Sequence, residues 1–486
     1  MPAETPGIEQ LFDIERSKKP TVFAPEDVRK TLQTLIEGLD LQSLWSVAAS
    51  VFGQSLGGAG AAAVERYFDG LTTRSPFAAI LEQINAGDAP RVLFIARRPY
   101  FSILREATHL AERGWRCQLL HLEPHAPGLE SAVERAFAAA WRIPNSLLLL
   151  EALVRKVRGG VIHVQTWQFD YHLTVAVQRA STQVPVAAAF NDISSMIGTP
   201  EVLSLLSSPD RVALDLAMEA EICRGADAVL TRFPPAAWPG LAARHGTLTR
   251  FMEFLPYPSP AFSCVASPYS PPTARPIRAV YAGGIGCGPT PGYPSEVFPA
   301  QSMPAAFRDL LEQGIEIDVL HDPYRPIDLN AAPQRPYKRL AEQFPHFRVR
   351  NGVTPDKLAA LLAEYDLGLV TFKVPPRGFY TRPELIKYGI GTKPFPHLEA
   401  GIPLLVTEEC EHLAATVSEH GLGLVIRSAD LREAAKHLTP AAILRWRQNV
   451  AQYCEEHSMP REIRRLEQLY RDLIAAGRRG ATTRSG

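Results

Sequence analysis

YGIGTKPFPHLEAGIPLLVT, residues 388–407, holds three glycines and three prolines in twenty residues and closes on an apolar run. The glycine-rich entry leads through Thr392 and Lys393 into a segment predicted to be helical for about two turns. Pro394 and Pro396 suit a first helical turn, where a missing N–H removes no intrahelical bond. Gly401 is placed to end the helix, and Thr392 is the expected N-cap, its hydroxyl accepting from a first-turn N–H. IPLLVT then reads as a buried strand. A helix start with outward N–H groups and a lysine beside them can hold a diphosphate. An ordinary connection between strands, with a solvated lysine, fits the same residues.

Working outward, the same grammar repeats on both sides. From Arg91, RVLFIA, SILREATHLAERGW and RCQLLHL read as strand, amphipathic helix and strand. GGVIHVQTW, YHLTVAVQRAS, VPVAAAF, DLAMEAEICRGA and DAVLTRF continue the alternation. Residues 256–276 then carry seven prolines, which neither a helix nor a central strand accommodates, and read as a linker. A second alternation runs from RAVYAGG to LGLVIR, with the opening segment inside it. Near-continuous apolar strands alternating with helices predict parallel sheets covered on both faces. The expected organisation is α/β: a helical region over 1–88, doubly wound Rossmann-like domains over 89–255 and 277–430 facing each other across a cleft, and helices over 431–486. The first helices can mediate a homodimer, recruit an acceptor or cover the sheet, and the residues do not choose among these.

Composition narrows the function classes. Lys plus Arg equals Asp plus Glu at 51 each, so no bulk attraction to nucleic acid or anionic membrane is expected. The six cysteines are scattered with no C-x-x-C pair, as in a reducing compartment. No apolar stretch reaches the roughly 20 residues of a membrane span, and MPAETPGIEQ has no leader pattern. A cytoplasmic protein is the expectation.

DLGLVTFKVPPRGFYTRPELIKYGIGTKPFPHLEAGIPLLVTEE resembles the donor-binding region of GT-B glycosyltransferases of the group 1 type. Lys393, Phe395, Leu398, Ala400, Gly401 and Pro403 match that family's K-L-F-E-Y-L-A-A-G-x-P pattern at its spacing. RGADAVLTRF is similar to the element that closes the family's N-terminal domain, and VIHVQTW with VPVAAAFND is similar to its H-x-H and H-D strands. The likeness spans roughly residues 91–430. It implies transfer of a sugar from a nucleotide-sugar donor to an acceptor that the sequence does not name, with the nucleotide sugar as substrate and no cofactor.

The resemblance distributes the site residues as follows. Gly283, Gly284, Thr392 and Lys393, with Lys373 and Arg377, are expected on the donor diphosphate. Arg350, Asn351, Gly352 and Val353 are expected beside the donor nucleoside. Arg97, Arg98, His163 and Trp167 are expected on the acceptor side, and Asp192 is the expected group for acceptor activation. No metal is expected, since no D-x-D occurs in the chain.

Several signature residues differ. The family's ribose-binding glutamate falls at Pro396, and its E-x7-E partner at Tyr388. Glu399, one turn later, is the substitute expected to reach the ribose. The arginine and lysine that follow the first strand of the C-terminal domain are absent from YAGGIGCGPTPGYP, and Asn191 replaces the histidine before Asp192. These departures favour an alternative, a non-catalytic nucleotide-binding or scaffolding protein of the same fold. Two further readings compete. GGIGCG mimics a dinucleotide fingerprint, with Asp322 as the ribose ligand, but Pro289, Pro291 and Pro294 stand where that fingerprint needs a helix. GQSLG fits the nucleophile elbow of serine esterases with Ser55, although no strand pattern precedes it.

Overall fold

The computed structural model describes residues 66, 68–74, 76–263, 269, 275–285 and 296–477. Ser55 with its GQSLG, residues 1–65 of the expected helical region, and Pro289, Pro291 and Pro294 lie outside the described residues.

The first half of the chain builds one sheet. Its elements are α1 (Phe77–Asn85), β1 (Arg91–Ala96), α2 (Phe101–Glu112), β2 (Arg116–His121), α3 (Glu130–Ala136), β3 (Ala139–Arg142), α4 (Leu147–Val154), β4 (Val161–Thr166) and α5 (Tyr171–Ala180). They continue with β5 (Val186–Phe190), α6 (Ser194–Ile197), α7 (Pro200–Leu203), α8 (Pro209–Gly225), β6 (Ala228–Thr231), α9 (Trp238–His245) and β7 (Phe251–Glu253). The strands lie in the order β3-β2-β1-β4-β5-β6-β7, every pair parallel.

The second sheet comprises β8 (Arg278–Ala282), α10 (Met303–Leu311), β9 (Glu316–His321), α11 (Arg335–Gln343), β10 (Phe347–Asn351), α12 (Pro355–Leu362) and β11 (Leu367–Val370). It is completed by α13 (Pro383–Tyr388), α14 (Pro394–Glu399), β12 (Leu404–Thr407), α15 (Glu411–Glu419) and β13 (Gly423–Ile426). The order is β10-β9-β8-β11-β12-β13, again all parallel. Both sheets therefore reverse direction of winding beside their first strand, and in such sheets the crevice beyond the strand carboxyl ends at that point receives ligands.

Burial follows the apolar pattern. Val92, Phe94, Ile95 and Leu93 of β1 are all buried, two on each face, because helices cover both sides. The last two helices bind the domains together. In α16 (Pro440–Glu456), Ile443 and Trp446 pack on the second sheet. In α17 (Met459–Ala476), Met459, Ile463, Leu466, Tyr470 and Leu473 recur at helical spacing and pack under the first. The described start of the expected linker is itself anchored. Tyr257 and Phe262 join the core beneath α17, and the Met459 amide donates to the Pro258 carbonyl at 2.8 Å. Prolines give no donors to a ladder, so side-chain packing fixes the segment instead.

Ion pairs and hydrogen bonds join the two domains directly. Arg105 on α2 pairs with Glu399 on α14, and Arg244 with Glu384 at 3.2 Å. His412 approaches Glu253 at 2.8 Å, and the Arg382 amide donates to the Ile197 carbonyl at 2.9 Å. Among the described residues no helix is long and apolar enough to cross a membrane.

Candidate functional site

Two cavities open where the strand ends of the sheets face each other. The first, about 340 Å³, is bordered by the residues that follow β8, β9 and β10: Gly283 and Gly284, His321 to Tyr324, and Gly352 and Val353. Thr392, Lys393 and Pro396 close one side, and Tyr100, Phe101 and Arg105 cross from the N-terminal domain. The second, about 560 Å³, runs from Asn191, Asp192, Arg232 and Phe233 of the first domain to Val370–Phe372 and Ile390–Gly391 of the second. Lys393 borders both. Each volume suits a ligand-sized group.

Lys393 is set in place by three neighbours. Its Nζ stands 5.4 Å from the centre of the Tyr281 ring. Gly283, at φ +152°, lets the chain pass beneath it, since a Cβ there would lie 2.8 Å from Lys393 Cε. Below, the His397 Nδ1 is 2.7 Å from the Lys393 carbonyl, which makes that nitrogen the donor. The His397 ring fills space that Gly368 leaves open in β11, where a Cβ would fall 2.2 Å from its Cδ2.

Burial drives the His397 pKa down to about 4, so the ring is neutral at pH 7. The unfolded chain holds this histidine near 6.5 and so binds the proton first as pH falls. Its stabilisation is complete above about pH 6.5 and is lost toward pH 4. His397→Asn keeps a donor and removes the titration. Its unfolding free energy is expected to fall less than that of the parent between pH 7 and pH 4.5, by about 2 kcal/mol, in denaturant titrations at the two pH values.

The N-cap expectation for Thr392 is corrected. The capping position is Lys393, in helical geometry, and no side chain caps the helix. Pro394 and Pro396 remove first-turn donors, which leaves little to cap, and a six-residue helix carries little dipole. The Thr392 side chain instead stands beside Tyr100 across the cleft. Charge at this point of the cleft therefore comes from Lys393 rather than from a helix end.

Gly283, Gly284, Thr392, Lys393, Gly352 and Val353 gather around the first cavity. Gly352 is required there, because a Cβ would lie 2.6 Å from the His321 carbonyl oxygen. Asp322 also borders this cavity, and its carboxylate accepts from the Tyr324 amide at 3.0 Å.

Other expected residues stand elsewhere. Arg350 turns onto Asp318 and the Tyr365 hydroxyl, and the exposed Asn351 borders neither cavity. Lys373 is paired with Asp309, and Arg377 is exposed; neither borders the cleft cavities. Arg97 binds Glu123 and Asp170 at 3.2 and 2.9 Å, and Arg98 reaches Glu123, so both are tied to carboxylates of the first domain. Trp167 lies behind the cleft wall, with its ring 5.0 Å from that of Tyr100. His163 sits three residues before the end of β4 and is fully buried, Nδ1 to the Tyr470 hydroxyl at 2.6 Å. Burial lowers its pKa to about 3 and raises that of Glu106 to about 8, so their 3.6 Å approach joins two neutral groups.

Glu399 does not reach toward a ribose. Its carboxylate takes Arg105 Nε at 3.1 Å and Nη2 at 2.6 Å, and accepts from the Ser259 amide at 2.9 Å. Arg105, 1% exposed, lies between the Phe101 and Phe262 rings at 4.6 and 4.4 Å. The last turn of α14 faces α2, which determines this pairing.

Asp192 borders the second cavity, held by its backbone. Its carbonyl accepts from the Tyr171 hydroxyl at 2.9 Å, and the same hydroxyl accepts from the Ser194 amide at 2.9 Å. Arg232 donates to the Asn191 carbonyl and lies 3.4 Å from the Asp192 carboxylate. Sequence reasoning assigned no role to Arg232 or Tyr100; the signal available for both was position just beyond an apolar strand. Behind Asp192, Ser195, His245 and Glu219 mimic a hydrolase triad. Both Ser195 Oγ, at 3.2 Å, and Glu219, at 2.7 Å, meet the same His245 nitrogen, so the ring cannot relay a proton between them.

Two Rossmann-like domains with paired parallel sheets and an interdomain cleft define the GT-B fold. No protein-family model matches the chain, and no curated protein matches it. Among solved structures it is similar to sucrose-phosphate synthase from Thermosynechococcus elongatus (TM-score 0.54, 13% identity, covering 80% of this chain and 100% of that one). It is also similar to Anabaena HepE in complex with UDP-glucose (TM-score 0.53, 12% identity, 78% and 100% covered). A Thermobaculum terrenum O-GlcNAc transferase aligns over 93% of this chain and 88% of its own, with TM-score 0.50 at 13% identity. At these identities the likeness is one of fold.

Proposed function

We propose that the protein is a glycosyltransferase that moves a sugar from a nucleotide-sugar donor to an acceptor, without a metal ion. The observation that carries this reading is the position of Lys393, which borders both the cavity made by the strand ends of the second sheet and the cavity that reaches Asp192 of the first. The nucleoside occupies the first cavity, against Gly352, Val353 and Asp322. The diphosphate lies at Gly283, Gly284, Thr392 and Lys393, and the sugar projects toward Asp192.

In the transfer, the acceptor oxygen bonds to the anomeric carbon, the bond from that carbon to the diphosphate oxygen breaks, and the nucleoside diphosphate leaves with the electron pair. The acceptor proton passes to the Asp192 carboxylate, and Lys393 stabilises the charge that develops on the leaving group. The fold shared with a structure solved in complex with UDP-glucose and with an O-GlcNAc transferase supports the donor class.

The test is a panel of UDP-, GDP- and dTDP-sugars, read by thermal shift and by donor turnover, with and without EDTA. Turnover that survives EDTA is expected. Stabilisation by a nucleotide with no turnover for any acceptor favours a binding protein instead. Asp192→Asn is expected to lower kcat by about a hundredfold with the donor KM little changed, measured at saturating acceptor.

A further inference from the structure

We propose that the acceptor is a hydroxyl group on an apolar body, an aromatic aglycone or a lipid alcohol, seated in the second cavity. This rests on the glycosyl-transfer reading and adds the acceptor class to it. The second cavity is the larger of the two and much of its wall is apolar: Phe233 comes from the first domain, and Phe298, Phe372, Ile386, Ile390 and Leu413 come from the second. The polar groups in that wall include a linked set. Arg232 touches the Asn191 carbonyl and the Asp192 carboxylate, and with Lys393, Gln168 and Thr371 these groups share the chamber with its larger apolar surface.

That arrangement discriminates between acceptor chemistries. A sugar or sugar phosphate carries hydroxyls on every side, and each one buried against phenylalanine or isoleucine without a partner weakens binding by roughly ten- to a hundredfold. An apolar body with a single hydroxyl presents its one polar group to Asp192 and leaves the remainder to the apolar walls, which favour it in proportion to the area buried. The chamber also has an apolar lip. Leu206 borders it and is 48% exposed, and its neighbour Leu205 is 38% exposed, in the segment between α7 and α8. Two adjacent exposed leucines at a cavity mouth extend the apolar surface outward, where an acceptor longer than the cavity would continue.

The experiment uses the full chain and the donor it turns over in the nucleotide-sugar panel. Transfer is measured to 4-methylumbelliferone, to farnesol in detergent micelles, and to glucose and glucose 6-phosphate. The expected result is a kcat/KM for the aromatic or the prenyl alcohol at least a hundredfold above that for either sugar. Preference for the first identifies an aglycone acceptor, and preference for the second a lipid. Leu206→Lys, a change at an exposed position, is expected to raise the KM for the favoured apolar acceptor about tenfold. Equal or better transfer to a sugar, or no transfer to either apolar alcohol from a donor that the protein hydrolyses, overturns the proposal. Failure to bind any nucleotide or nucleotide sugar overturns the glycosyl-transfer reading itself, and this inference with it.

Discussion

Lys393→Ala is expected to lower kcat with the preferred nucleotide sugar by about a thousandfold while the protein stays folded. Loss of one preorganised group that stabilises developing charge costs about 10² to 10³ in rate. The upper end is expected because, among the described residues, no other lysine or arginine of the C-terminal domain borders the first cavity. Arg105 borders it from the other domain, but two of its nitrogens are already on Glu399. The lysine is half-buried rather than part of the core, so truncation leaves the packing of Phe395 and Leu398 intact. Single-turnover measurements across donor concentrations check the result. A loss confined to KM would mean that Lys393 binds the ground state as strongly as the transition state.

The second large effect is on stability. Glu399→Ala is expected to destabilise the protein by about 3 to 5 kcal/mol, because it leaves the Arg105 guanidinium buried without its carboxylate. Burial pushes the Glu399 carboxyl up and Arg105 pulls it back, so the two groups need each other. Arg105→Met combined with Glu399→Leu is expected to recover most of the loss, since well-packed apolar residues replace a buried pair at little cost. Urea unfolding of the three proteins checks this. A Glu399→Ala protein with unchanged stability and a raised donor KM would return Glu399 to the ribose.

These two residues mark the limit of what the chain reveals locally. The segment 388–407 was legible as glycine entry, short helix and strand, because proline and glycine act on the backbone within a few residues of themselves. It places Lys393 at the cleft. The role of Glu399 was not legible, because its partner Arg105 is 294 positions away and lies on a helix that reads as amphipathic. In α2, Arg105, Glu106 and His109 are buried together with the apolar face, since the second domain and α17 cover the side that would otherwise meet water. His163 failed for the same reason. Its partner Tyr470 is 307 positions distant, on a helix with no visible link to β4.

Most of the strand and helix succession and the parallel character of both sheets could be read from the sequence, because burial on one or both faces writes its period into neighbouring residues; α3, β3, α4 and the short edge strand β7 could not. Tertiary structure alone decided which side chains at the strand ends meet a ligand. Arg97 and Tyr100 both follow β1, and Arg350 and Gly352 stand at the end of β10, yet one of each pair is turned onto a carboxylate and the other borders the cleft. The direction of a side chain beyond the last strand residue depends on which charge stands across the gap, and that neighbour comes from a distant part of the chain.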